Sequence, residues 1–121
     1  MKCKVVLYGV EQTQNLTCLG ELLLNEKSFN LSYIFGGDSC LLTYDGEILR
    51  HEKKGEIPVC IEFIANKKSL CKIGDGKFCG EIPVLTNSLD VRLGTKDISV
   101  SVVYELDGEA KQMKISAVTI N

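Results

Sequence analysis

The feature that most constrains this chain is a run of strict alternation that leads straight into a tight turn. From Ile98 to Leu106 the residues Ile98, Val100, Val102, Tyr104 and Leu106 share one parity, while Ser99, Ser101 and Glu105 fall on the other. Successive side chains of a strand point to opposite faces, so this is the pattern of a half-buried β-strand. Asp107-Gly108 follows at once. Both central positions of a primed two-residue turn need positive φ, which glycine accepts freely and aspartate tolerates, so the pair predicts a hairpin. The returning run places Met113, Ile115 and Ala117 on one face and Gln112, Lys114 and Ser116 on the other.

The same grammar recurs upstream. Strand-length runs fall near 2–9, 16–25, 28–35, 38–44, 47–53, 56–65, 68–73, 78–85, 88–94, 97–106 and 111–120, separated by short polar or glycine-bearing turns. Between Leu16 and Leu24 a helix face of Leu19, Leu22 and Leu23 competes with a strand face of Leu16, Cys18, Gly20, Leu22 and Leu24. The strand is favoured, because Gly20 would cost a helix interior roughly 1 kcal/mol. Ile82 and Val84 have one parity and Leu89, Val91 and Leu93 the other, which predicts a bulge or corner near Thr86-Asn87-Ser88. Pro83 donates no ladder hydrogen bond and is expected at an edge, a strand start or that bulge.

About ten hairpin-linked strands without helices must dispose of their edges. Pairing the first strand with the last removes both, so the expected fold is all-β: an antiparallel up-and-down barrel of about 8–10 strands, with a two-sheet sandwich as the alternative. At 121 residues the chain has room for one domain, spanning 1–121.

Composition narrows the function classes. Fourteen Lys and Arg stand against sixteen Asp and Glu, and only Arg50 and Arg92 are arginines, so no nucleic-acid partner is expected. The N-terminal apolar run is too short for a secretory signal, and no stretch approaches the roughly 18 apolar residues of a membrane span, so a cytoplasmic protein without a membrane partner is expected. Cys3, Cys18, Cys40, Cys60, Cys71 and Cys79 then read as reduced packing thiols. No Cys-x-x-Cys occurs and His51 is the one histidine, so neither a metal site nor a cofactor is expected. Gly74-Asp75-Gly76-Lys77 lacks the spacing of a phosphate loop and is read as a turn. With no nucleophile elbow and one histidine, no catalytic group assembles, and the chain is read as a non-enzyme.

Three stretches, Ile48-Leu49-Arg50-His51-Glu52-Lys53-Lys54-Gly55, Gly80-Glu81-Ile82-Pro83-Val84-Leu85-Thr86 and Leu89-Asp90-Val91-Arg92-Leu93, together with the closing Tyr104-Glu105-Leu106-Asp107-Gly108, resemble the bacterial DUF1934 or YwiB-like family over nearly the whole chain. The resemblance implies a calycin-like, lipocalin-type β-barrel and supplies no activity. It departs from the family pattern at Gly76-Lys77-Phe78-Cys79-Gly80.

If the face of Ile48 points inward, Arg50 is a guanidinium in the lumen and His51 is exposed. Arg50 then anchors a carboxylate or phosphate, or forms a structural salt bridge at the rim. The leading expectation is a barrel that binds a small apolar or amphipathic anion, with Arg50 as anchor and Tyr33 and Tyr104 as lining. The inward sets Phe29, Leu31, Tyr33; Ile57, Val59, Ile61, Phe63; and Ile98, Val100, Val102, Tyr104 are bulky, and alanine occurs only at Ala65, Ala110 and Ala117, which predicts a small or absent cavity. The alternative is a filled barrel acting as a protein-interaction or homo-oligomerisation module. Outward Leu19, Leu23, Cys60, Ile64, Val118 and Ile120 would form a homodimer or partner interface if they converge.

Overall fold

A computed structural model describes residues 1–8, 15–75 and 78–120. Among them lie ten strands and no helix: β1 (Lys2–Tyr8), β2 (Leu16–Leu24), β3 (Phe29–Phe35), β4 (Asp38–Tyr44), β5 (Ile48–Lys54), β6 (Val59–Ile64), β7 (Lys68–Asp75), β8 (Phe78–Leu93), β9 (Asp97–Leu106) and β10 (Glu109–Thr119). Each pairs antiparallel with its neighbours in sequence, and β1 closes on β10. Cys3 opposite Thr119 and Val5 opposite Ala117 seal the barrel, so no paired strand is left with a free edge. The end of the first run at Gly9 and the turn expected at Gly76-Lys77 lie outside the described residues.

The β9–β10 hairpin turns as the sequence requires, with φ of 51° at Asp107 and 79° at Gly108. β2 is a strand throughout, with Cys18, Gly20, Leu22 and Leu24 on the inner side. Gly20 is demanded by crowding, since a Cβ there would come 2.5 Å from the Ser32 carbonyl oxygen.

The two expected runs at 78–85 and 88–94 are one strand, β8, whose pairing with β9 slips by one residue between Thr86 and Ser88. At this bulge the backbone turns to the β6–β7 turn: Thr86 N–H donates to the Lys67 carbonyl at 3.1 Å, and Asn66 N–H donates to the Thr86 carbonyl at 3.0 Å. Pairing of β8 with β9 starts at Val84, so Pro83 sits where no partner on that side asks for its missing donor.

The interior is filled. Val5, Leu22, Phe29, Leu31, Leu42, Leu49, Phe63, Val100, Val102 and Ala117 are fully buried in one cluster with Cys3, Cys40 and Cys71. Ile57, expected inside, precedes β6 and is exposed.

Candidate functional site

The site grows from the strands that carry polar residues on the inner face. Register decides which they are. On β5, Leu49 lies between Tyr44 and Phe63, and Leu49 and Phe63 are wholly buried. Alternation then sends His51 inward and Arg50 outward. This reverses the expected facing of the strand. Arg50 is an outer-face residue between Thr43 and Glu62, its Nε donating to Cys60 Sγ at 3.2 Å and its guanidinium pairing with Glu52 at 2.8 Å. It lines a shallow polar groove of about 370 Å³ with Asn25, Asn30 and Thr43. A guanidinium outside the barrel cannot anchor a ligand within it, so Arg50 is corrected from lumen to surface, and His51 from surface to lumen.

Inside, His51 meets Tyr33 of β3, across the width of β4. The Tyr33 hydroxyl and His51 Nε2 are 2.8 Å apart, and the rings lie nearly parallel, inclined by 16° with centroids 6.3 Å apart. Burial disfavours the charged imidazole, and the nearby Lys53 ammonium adds repulsion, so the pKa of His51 is pushed down to about 4. Burial likewise raises the Tyr33 hydroxyl above its ordinary value. At neutral pH the pair is uncharged. One ring nitrogen accepts while the other donates, so His51 keeps hydrogen-bonding capacity beyond its bond to Tyr33.

The pair belongs to the wall of a pocket of about 210 Å³ at the end of the barrel where β3, β5 and β9 finish. Leu7, Phe35, Met113 and Ile115 supply its apolar lining, and Tyr8, Cys40, Lys53, Gln112 and Lys114 complete it. Burial raises the Cys40 thiol, which therefore stays protonated. Lys53 pairs with Asp38 at 3.3 Å, and the Lys114 ammonium stands 4.8 Å over the Tyr8 ring. Two cations thus stand at the rim of an apolar pocket whose polar wall is neutral, Lys53 on the inner face and tied to Asp38, Lys114 on the outer face opposite Tyr8.

Of the three residues expected to line one site, Tyr33 is in this pocket, Arg50 is outside the barrel, and Tyr104 lies elsewhere within it. Tyr104 packs edge-on against Phe63, with centroids 4.8 Å apart. Sequence reasoning missed His51, Lys53 and Lys114. No local pattern marks the first two: the parity of β5 is fixed by the pairing of Leu49 with the inward Tyr44 across the Asp45-Gly46-Glu47 turn.

All six cysteines are free thiols, and among the described residues no group of three His, Cys, Asp or Glu side chains is placed to hold a metal ion. No described helix is long and apolar enough to cross a membrane.

No protein-family model and no curated protein matches the chain. The fold is similar to that in the crystal structure of the YwiB protein from Bacillus subtilis, with a TM-score of 0.75 over 99% of this chain and 89% of that one, at 14% sequence identity. The barrel is thus YwiB-like in fold, a likeness of architecture that carries no activity with it.

Proposed function

We propose that this protein is a non-catalytic, cytoplasmic, bacterial binding barrel of the calycin-like DUF1934 kind, and that it holds a small apolar or amphipathic anion at the mouth of its lumen. The observation that carries the reading is the Tyr33–His51 pair, a neutral hydrogen-bonding wall in a pocket whose apolar lining is Leu7, Phe35, Met113 and Ile115. Few polar groups set in an apolar concavity fix a ligand's orientation, while the apolar lining supplies most of the affinity. Lys53 and Lys114 favour a negative group at the rim. The volume, about 210 Å³, lies below the roughly 300–1,000 Å³ of drug-sized sites, so the ligand is the size of a single ring or a short acyl chain.

Native mass spectrometry of protein purified from its own host, and of the same protein titrated with benzoate and hexanoate, tests the reading. A resident or added small carboxylate bound one to one, with affinity lowered about tenfold or more by Lys53→Ala with Lys114→Ala, supports it. Absence of any such adduct at millimolar probe overturns it.

A further inference from the structure

Closure of the barrel pairs the first strand with the last, which disfavours association by strand addition and leaves outer faces as surfaces on which a second molecule can pack. That outer surface is uneven. Leu19 (69% exposed), Ile34 (66%), Leu23 (62%), Val118 (50%) and Ile120 (44%) stand on β2, β3 and β10, to either side of β1, or just past β10. Register orders the patch. Val118 is opposite Lys4 and Lys4 is opposite Leu19, so a lysine stands between these two apolar residues, while Leu19 and Ile34 lie beside the paired Gly20 and Tyr33 and line one groove. Cys60 and Ile64 lie on β6 and take no part. The patch is dented by a groove of about 440 Å³ lined by Leu19, Gly20, Ile34 and Ile120, with Lys2 and Glu21 at its sides.

We infer that this face is a two-fold interface between two copies of the chain. A two-fold contact must be complementary to itself, so it needs a projection and a recess, and both signs of charge, within one patch. All four are present. Leu19 and Ile34 project most, beside the groove. Among the described residues Lys2 and Lys4 form no ion pair, and Glu21 pairs only with the chain's amino group, at 3.3 Å and exposed on both sides. Rotation by two-fold symmetry brings Glu21 of one copy toward the free Lys4 of the other, twice, while Leu19 of each enters the groove of its mate. Four strands about 4.8 Å apart give a patch only some 15 Å wide, which places the contact in the weak, reversible class.

Sedimentation velocity from about 10 to 500 μM reads the association. The expected result is a concentration-dependent monomer–dimer equilibrium that Leu19→Asp and Ile34→Asp each abolish. Lys4→Glu should weaken it by about tenfold, and Lys4→Glu with Glu21→Lys should restore it. Thermal melts of every variant show that it folds. A wild-type chain that is monomeric throughout overturns the proposal. So does a dimer indifferent to Leu19→Asp, or a charge reversal that the double exchange does not recover.

Discussion

Tyr33 and His51 lie 18 residues apart on strands that do not touch, yet the hydroxyl of one and Nε2 of the other are 2.8 Å apart inside the barrel. β4 separates their backbones, and only two inward rings can bridge it. The bond ties β3 to β5, and burial, with repulsion from Lys53, keeps the imidazole neutral at the pocket wall.

Because the folded state pushes the pKa of His51 down to about 4 from an ordinary 6.5, the unfolded chain binds a proton there more readily. The His51 contribution is therefore complete above pH 6.5 and is lost as pH falls toward 4. The expected loss across that window is on the order of 2–3 kcal/mol, readable as a falling urea midpoint. His51→Gln should flatten this slope, and an unchanged slope would contradict the assignment.

Tyr33→Phe keeps the ring packed and removes the hydroxyl, leaving His51 Nε2 without its partner. A destabilisation of about 1–3 kcal/mol is expected by urea denaturation at pH 7, with the fold intact by circular dichroism.

Arg50→Met tests which way β5 faces. An exposed arginine paired with Glu52 contributes little, so the variant should fold with stability within about 1 kcal/mol of the parent and leave benzoate binding unaltered. Loss of binding would return Arg50 to the site.

Thr86 is wholly buried at the β8 bulge, and its Oγ1 has no hydrogen-bond partner among the described residues. Thr86→Val removes that unsatisfied hydroxyl while keeping the branched shape, and should raise stability by about 1 kcal/mol in urea.

The thiols should divide by burial. Cys79 is exposed, whereas burial raises the thiols of Cys3, Cys18, Cys40 and Cys71. Ellman's reagent at pH 8 should modify Cys79 first and the half-buried Cys18 more slowly, while the buried Cys3, Cys40 and Cys71 should react only on unfolding.

How legible each part was in the sequence follows from how much of each strand is apolar. β9 and β10 carry long single-parity runs, and the parity break around Thr86 gave away the bulge. Together these made the closed barrel readable. β5 reads Ile-Leu-Arg-His-Glu-Lys-Lys, with two apolar neighbours of opposite parity and nothing apolar after them. Alternation alone cannot choose between such faces; only pairing with Tyr44 and Phe63 does, and that is a tertiary fact. The Tyr33–His51 contact, made across an intervening strand, leaves no local pattern at all.

His51 is the chain's one histidine, so its ring is an unambiguous reporter on the proposed site. The most direct measurement follows the His51 imidazole resonances by NMR while benzoate is added at pH 7. The account predicts a saturable displacement of these signals together with those of Leu7, Phe35 and Met113, lost when Lys53 and Lys114 are both alanine. His51 signals that stay put to saturating millimolar benzoate, in a folded protein, would contradict it.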